Sequence, residues 1–244
     1  MSAGPSAAAG TDGILAFAMR STLHCDDILG PLDEVDRYHA PKRLHLEGEA
    51  ALLQRTVRVA VVGSREASAL GLRRARRIST ELARERIVVV SGLARGVDHA
   101  AHTAAIEAGG RTIAVIATPL DRAYPPEHAG LQAELARAHL VVSQFGPNDR
   151  TGRWSFPERN RTMALLSHAT VIVEARDSSG TLHQAWEALR LGRPTFFMRS
   201  LLEDATLAWP RKLLEHGALP LARVQDVLDE VPFVEVAAEG LDAF

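Results

Sequence analysis

From Val57 onward, short apolar segments alternate regularly with longer amphipathic segments. The apolar segments are rich in β-branched residues and five or six residues long, which is typical of buried strands. We predict strands near residues 57–62, 87–91, 111–116, 139–143, 169–174 and 194–198. Helices are expected near residues 67–84, 96–109, 126–137, 157–167 and 180–191. This alternation predicts an α/β fold with a doubly wound, mostly parallel sheet covered by helices on both faces.

The two ends of the chain differ from this central region. Residues 1–56 are predicted to form a partly disordered N-terminal helical extension, because small polar residues come first and proline-containing breaks interrupt the apolar anchors that follow. Residues 57–222 are predicted to form one Rossmann-like domain. The carboxylates that follow it predict that residues 223–244 form an acidic C-terminal tail.

Composition argues against membrane and secreted proteins. No apolar run approaches the roughly 18 residues of a membrane-spanning helix, and no basic region precedes the first apolar residues, as it would in a secretory signal. The single cysteine, Cys25, cannot form an internal disulfide, which fits a reducing compartment. We therefore predict a cytoplasmic protein with no membrane partner.

Charge is informative mainly through its distribution. The formal net charge of −2 argues by itself against nucleic-acid binding, because most nucleic-acid-binding domains are basic. Arginines are nevertheless concentrated in one segment, at Arg58, Arg65, Arg73, Arg74, Arg76, Arg77, Arg84, Arg86 and Arg95. The four from Arg73 to Arg77 are interpreted as a solvated helix face. Arg65 and Arg95 differ, since they lie in predicted strand-to-helix loops.

Small residues and arginines recur at the predicted strand-to-helix junctions. In a doubly wound sheet these junctions lie beyond the carboxyl ends of the strands, where ligands bind. Glycine lets a backbone N–H approach an anion, a helix N-terminus carries partial positive charge, and arginine matches phosphate oxygens in pairs. The junctions therefore predict a phosphate-backbone or nucleotide site. Its candidate residues are Gly63, Ser64, Arg65, Gly92, Arg95, Gly96, Arg159, Asn160, Arg161, Ser179, Gly180 and Thr181.

Three further expectations concern side chains near this site. Arg159 and Arg161 cannot share one helix face, so we expect one of them to pair with Glu174 while the other meets the ligand, in either assignment. Tyr124 is either a base-stacking residue or a half-buried loop anchor. Asp98 is expected to cap the helix that follows it rather than to bind ligand.

The sequence does not predict a catalytic site, a metal or a cofactor. No Ser-His-Asp arrangement stands out, and Cys25 has no identifiable partner. His99 and His102 are three residues apart on one predicted helix, but no third metal ligand lies nearby. Only Gly63 and Gly71 occur where a dinucleotide-binding fold carries three closely spaced glycines, which argues against an NAD site.

Taken together, these motifs resemble the DNA-processing protein A family, also called Smf. The resemblance runs from about Val57 to Arg199. It is carried by Val-Gly-Ser-Arg at 62–65, Ser-Gly-Leu-Ala-Arg-Gly at 91–96, Asp98 with Ala-Ala-His at 100–102, Leu-Asp at 120–121 with Tyr-Pro at 124–125, Phe-Pro at 156–157 with Arg-Asn-Arg at 159–161, and Glu-Ala at 174–175 with Ser-Gly-Thr at 179–181. It implies a homodimer that binds and protects single-stranded DNA during natural transformation and helps to load the RecA recombinase.

The chain departs from this family in several places. The family usually has Gly-x-Gly after the third strand, where residues 117–119 of this chain read Ala-Thr-Pro. It usually has an acidic residue at the position that Gln144 occupies here. After the last strand it has Pro-Gly, whereas residues 198–200 read Met-Arg-Ser. The ends look too short for the N-terminal helical domain and the C-terminal winged helix of many members. These departures weaken the expectation of RecA loading more than that of DNA binding.

Two other functions compete with DNA binding. A nucleotide-sensing module in signalling or defence would use the same loops for one small ligand. The related LOG-type phosphoribohydrolases resemble this chain at Gly180-Thr181, but they carry a glutamate where this chain has Gln184. Because an amide cannot act as that acid or base, we predict a protein that is not an enzyme.

Overall fold

The computed structural model describes residues 20–30, 32–54 and 56–231. Within these ranges the strands form one sheet, and all six predicted strands are confirmed. In chain order the strands are β1 (Arg20–His24), β2 (Arg43–Gly48), β3 (Arg58–Gly63), β4 (Val88–Ser91), β5 (Thr112–Ile116), β6 (Leu140–Ser143), β7 (Ala169–Glu174), β8 (Thr195–Met198) and β9 (Leu219–Leu221).

The strand order across the sheet is β1-β2-β6-β5-β4-β3-β7-β8-β9. All neighbours from β6 to β9 are parallel, whereas β1 and β2 form an antiparallel edge. From β3 the chain first builds the sheet toward β4 on one side, and β7 later pairs with β3 on the other side. The predicted doubly wound, mostly parallel sheet is confirmed.

The helices occupy the connections between strands. The five predicted between the parallel strands are confirmed, with ends within three residues of the predicted ones. The helices are α1 (Cys25–Leu29), α2 (Glu34–His39), α3 (Ala69–Arg84), α4 (Val97–Glu107), α5 (Ala129–Ala138), α6 (Ser155–Leu166), α7 (Gly180–Arg190), α8 (Trp209–Glu215) and α9 (Gln225–Leu228). Among the described helices, none combines the length and apolarity needed to cross a bilayer.

The two faces of the sheet carry separate apolar cores. Alternation along β3 sends Ala60 and Val62 into one core and Val59 and Val61 into the other. Helices α6 and α7 cover the first face, and α3 and α4 cover the second. Helices α3 and α7 therefore leave the neighbouring strands β3 and β7 toward opposite faces. Strand order reverses at this point, and a crevice opens there beyond the carboxyl ends of the strands.

The N-terminal extension contains the predicted helices as α1 and α2, but it also contributes two strands that the sequence reading missed. Leu44 and Leu46 alternate with polar residues along β2, and both are fully buried in the first core. Strand β2 pairs with β6, so this part of the extension completes the sheet. Residues 1 to about 12, for which disorder is predicted, lie outside the described residues.

The beginning of the predicted acidic tail is folded. Residues 225–228 form α9, where Val227 is buried in the core of the second face. Asp226 accepts hydrogen bonds from the N–H groups of Ala222 (2.8 Å) and Arg223 (3.0 Å), which fixes the turn after β9. The remainder of the predicted tail, residues 232–244, lies outside the described residues.

Candidate phosphate-binding site

Two adjoining clefts open at the carboxyl edge of the sheet. The first cleft, with a volume of about 440 Å³, lies at the crevice between the loops that follow β3 and β7. The second cleft, of about 150 Å³, lies beside it toward β4 and β5. Of the predicted residues, the first cleft is lined by Gly63, Ser64, Arg65, Arg159, Asn160, Ser179, Gly180 and Thr181. The second is lined by Arg65, Gly92, Arg95, Tyr124 and Arg159.

Close backbone contacts join the loops after β3 and β4. The Ser64 N–H donates to the Glu174 carbonyl (2.8 Å), and the Ser64 carbonyl accepts from Val97 N–H (3.2 Å). Gly96, at the start of α4, has φ of +72°, and a Cβ atom there would lie 2.7 Å from the Arg65 carbonyl oxygen. Gly96 therefore acts through backbone packing, since it lines neither cleft.

Asp98 has a different role from the predicted helix cap. Its carboxylate accepts hydrogen bonds from the N–H groups of Gly92 (3.1 Å) and Ala94 (3.3 Å), and the residue that caps α4 is Gly96. Asp98 thus folds the loop between β4 and α4. Burial raises the pKa of the Asp98 carboxyl, while the charge of Arg159 and the hydrogen bonds act in the opposite direction.

Arg159 is buried beneath both clefts. Its Nη1 donates to the carbonyl oxygens of Gly92 and Val115, the latter at 2.8 Å, and its Nε donates to Asn160 Oδ1 at 3.0 Å. Only 5% of the residue is exposed. Burial lowers the pKa of this guanidinium, and Asp98 opposes that change. Arg159 therefore anchors the ends of β4 and β5, which leaves much of its hydrogen-bonding capacity committed to the protein.

The predicted pairing of Arg159 or Arg161 with Glu174 is wrong. Glu174 instead accepts from Ser68, through its N–H (2.8 Å) and its hydroxyl (2.5 Å). Arg161 faces Glu187 of α7, with 3.5 Å between Nε and Oε2, and lines neither cleft. The structure therefore places Arg161 outside both clefts, facing a buried carboxylate, and its contact with ligand stays a prediction.

Arg65 lies where the two clefts meet. Its side chain is exposed, and its Cζ lies 4.9 Å from the centre of the Phe156 ring, a cation–π arrangement. The ring of Tyr124 packs against that of Phe156, with 5.4 Å between the centroids, and the residue is 49% exposed; base stacking and loop anchoring both stay predictions. Sequence reasoning left Phe156 out of the site, although its position directly before Pro157 at a helix start was a usable signal.

Arg95 stands at the rim of the second cleft with an acidic neighbour. Its Nε donates to Glu127, and both side chains are largely exposed. The same interaction raises the pKa of Arg95 and lowers that of Glu127. A phosphate group that binds Arg95 must therefore compete with the Glu127 carboxylate.

The start of α7 forms the far wall of the first cleft. Ser179 caps the helix by accepting from Thr181 N–H (3.2 Å), and Asn160 Nδ2 holds the Gly180 carbonyl (3.2 Å). The Gly180 N–H has no acceptor among the described residues, and the space next to its Cα is open. Arg176, exposed in the same loop, also lines this cleft and was absent from the predicted set.

The charge of the two linings favours an anion. Four arginines line them, against two carboxylates, of which Asp98 is occupied by backbone N–H groups. These arginines are Arg65, Arg95, Arg159 and Arg176. Together with the free N–H at the helix N-terminus, they suit the binding of phosphate oxygens.

The two histidines considered for metal binding, His99 and His102, lie outside the linings of both clefts. Among the described residues, no three His, Cys, Asp or Glu side chains are arranged to hold a metal ion. His102 is fully buried, with Nδ1 2.7 Å from Thr112 Oγ1, whereas His99 is exposed and stacks near His128. Gln184, buried in the lining of the first cleft, presents an amide where a carboxylate would be needed for acid–base chemistry.

Comparison with known proteins identifies the family. The sequence model of the family described as DNA recombination-mediator protein A matches residues 26–232. The chain belongs to this family. It is 39% identical over 203 residues to the DNA processing protein DprA of Streptococcus pneumoniae, which covers 83% of this chain and 71% of that protein. It is also 35% identical over 195 residues to DprA of Bacillus subtilis, covering 80% of this chain and 66% of that protein.

Solved structures of the family share the fold. The X-ray structure of Streptococcus pneumoniae DNA processing protein A superposes with a TM-score of 0.76 at 36% identity, covering 89% of this chain and 75% of that one. The structure of Helicobacter pylori DNA processing protein A was described for its single-stranded DNA binding mode. It superposes with a TM-score of 0.73 at 28% identity, covering 87% of this chain and 95% of that one. The family resemblance predicted from the motifs is confirmed. The chain spans about two thirds of the length of the Bacillus relative.

Proposed function

We propose that this family member binds single-stranded DNA across the two clefts. The observation that carries the proposal is the position of Arg65, an exposed guanidinium at the junction of the clefts with no ion-pair partner among the described residues. It lies against Phe156 and next to the half-exposed ring of Tyr124. A cation flanked by aromatic rings suits a strand that presents phosphates and unpaired bases together.

The two clefts have complementary features for such a strand. In the first, a phosphate can reach the Gly180 N–H at the start of α7, because no side chain occupies that space. In the second, the rings of Tyr124 and Phe156 offer stacking surfaces, and Arg95 stands at the rim. Arg159 serves as a buried positive charge under both. The Helicobacter pylori relative, described as binding single-stranded DNA, shares this fold and supports the assignment.

The finer roles of the family enter the same proposal. Protein bound along the strand covers the DNA backbone, and a covered backbone is inaccessible to nucleases. The same binding therefore accounts for protection of incoming DNA in transformation. Loading of RecA, assembly as a homodimer and a cytoplasmic location stay predictions from the resemblance and the composition. Light scattering of the purified protein across a concentration series tests the homodimer.

A salt titration tests DNA binding directly. Anisotropy of a labelled oligothymidine should fall with added KCl, and each phosphate contact should contribute about 0.7 to the slope of log K against log salt. Arg65→Ala should lower the slope by about 0.7 and weaken binding. Arg137→Ala, which removes an exposed arginine from α5 near the opposite edge of the sheet, is the matched control. An Arg65→Ala protein that binds like the wild type would remove Arg65 from the site.

A small nucleotide is the second candidate ligand, because the first cleft alone has a volume typical of small-molecule sites. A mononucleotide would place its phosphate at α7 without using the second cleft. Thermal-shift screening against mononucleotides, run beside the oligothymidine assay, separates the two. Stabilisation by a mononucleotide without oligothymidine binding would favour a nucleotide-sensing module.

We also propose that the protein performs no phosphoribohydrolase chemistry. Gln184 supplies no proton at neutral pH, and the Asp98 carboxylate is engaged by two backbone N–H groups. Incubation of nucleoside monophosphates with concentrated protein should release no free base. Detection of base by chromatography, in proportion to protein, would contradict this.

A further inference from the structure

The exposed side of α3 carries arginines outside both clefts. The helix contains five arginines and one glutamate, and no acidic residue lies in its first turn. At 3.6 residues per turn, Arg73, Arg77 and Arg84 project within about 40° of one another and span about 16 Å along the axis. All three are exposed, and together they define the arginine face.

Acidic neighbours neutralise only part of the positive charge of the arginine face. Arg77 pairs with Glu81 at 2.7 Å yet remains 71% exposed. Among the described residues, neither Arg73 nor Arg84 has an ion-pair partner. Arg76, at one side of the face, pairs with Glu107 of α4. In the described part of the chain, the face therefore carries unpaired guanidinium groups at its two ends, Arg73 and Arg84, with the paired but exposed Arg77 between them.

The arrangement is unfavourable for an isolated helix. Arg73 and Arg77 are four residues apart, where like charges repel each other. A bound polyanion would relieve this repulsion, whereas solvent alone screens it only partly.

The arginine face is continuous with the first cleft. The loop at residues 63–66 lines that cleft and leads directly into α3. Ser68 begins the helix by accepting from Gly71 N–H (3.0 Å) and is held by Glu174 at the end of β7. Arg74 donates to Ser200 Oγ (2.6 Å), which fixes the helix against the loop after β8. A strand that leaves the first cleft past Arg65 thus meets the arginine face next.

We propose that single-stranded DNA longer than the clefts continues along the arginine face of α3, where Arg73, Arg77 and Arg84 contact its phosphates. This inference rests on the proposed DNA binding, which it extends by naming the path of the strand. If the strand follows this path, binding depends on the length of the oligonucleotide. A short oligonucleotide is held by the clefts alone, and a long one also engages the face.

The test compares two oligothymidines and two triple variants. The first variant, R73Q/R77Q/R84Q, removes the charges while keeping good helix formers. The control, R43Q/R137Q/R211Q, removes three exposed arginines from β2, α5 and α8 and changes the net charge equally. Oligonucleotides of about 6 and about 30 nucleotides bracket the length that the clefts can hold. Anisotropy against KCl gives each slope, and circular dichroism melting verifies that both variants fold.

With the short oligonucleotide, all three proteins should bind alike. With the long one, R73Q/R77Q/R84Q should lose about 2 from the slope of log K against log salt, the sum expected for three phosphates, and the control should keep the wild-type slope. Equal slopes for all three proteins on the long oligonucleotide would overturn the path and leave binding in the clefts intact. A wild-type protein that binds neither oligonucleotide would overturn the proposed function and the path with it.

Discussion

Gly92 offers a sharp test of how the clefts are built. A Cβ atom at residue 92 would overlap Nη1 and Cζ of Arg159 and lie 2.7 Å from its Nη2. The Gly92 N–H is already held by Asp98, and its carbonyl by Arg159, so the loop cannot move away freely. In Gly92→Ala the guanidinium must therefore shift and weaken its bonds to the carbonyls of Gly92 and Val115.

The expected loss of stability follows from these contacts. Overpacking in a well-packed region costs about 1–3 kcal/mol, and a hydrogen bond from a buried charged group contributes about 1.5–3 kcal/mol. Since the shift weakens these bonds without removing them, we expect Gly92→Ala to lower the free energy of unfolding by about 3 kcal/mol. For a chain of this size the melting temperature should fall by about 6–12 °C.

Gly180→Ala is the matched control, because nothing lies within 4 Å of a Cβ atom at that position. Its melting temperature should stay within a few degrees of the wild type, whereas its DNA affinity should fall, since the added methyl group occupies the approach to the Gly180 N–H. Differential scanning calorimetry and the oligothymidine assay measure the two effects separately. A Gly92→Ala protein with the wild-type melting temperature would refute the close packing of Gly92 on Arg159.

Other contacts give further predictions. Burial lowers the pKa of His102 from 6.5 to about 3, so the folded protein keeps this ring neutral. An unfolded chain takes up that proton near pH 6.5, so the stability contribution is complete above pH 6.5 and falls as the pH drops toward 3, by about 2 kcal/mol at pH 5. The pKa values of His139 and His168 are lowered to about 4 and act in the same direction. His102→Asn should reduce the difference between urea midpoints at pH 7 and pH 5, and an unchanged difference would exclude His102 as a source. Glu127→Gln should free Arg95 and steepen the salt dependence of oligothymidine binding by up to about 0.7; an unchanged slope would show that Arg95 meets no phosphate.

Local patterns in the sequence predicted the parallel sheet and its loops, because strand and helix periodicities and junction glycines are properties of short segments. The strand pair β1 and β2 was missed for the same reason. The alternation of Leu44 and Leu46 is brief, and the partner that makes β2 a strand is β6, nearly a hundred residues later. Residues that contact the clefts could therefore be listed from the motifs, whereas the antiparallel edge of the sheet could not.

The sequence alone also could not show which arginines stabilise the fold and which face a ligand. Arg159 is held by Val115, which is 44 residues away, and Arg161 faces Glu187 on a different helix. A motif shows only that a guanidinium is present. Burial decides whether it serves the fold or faces a ligand, and burial depends on contacts between distant segments.

The anchoring of Arg159 has a consequence for how a ligand is received. Because this side chain ties the ends of β4 and β5 together under both clefts, the surface that meets the ligand is assembled when the chain folds. The site is preorganised, so association should involve little rearrangement of the backbone and little loss of conformational entropy. A nucleic acid strand, by contrast, arrives flexible, and most of the ordering on binding should then occur in the DNA.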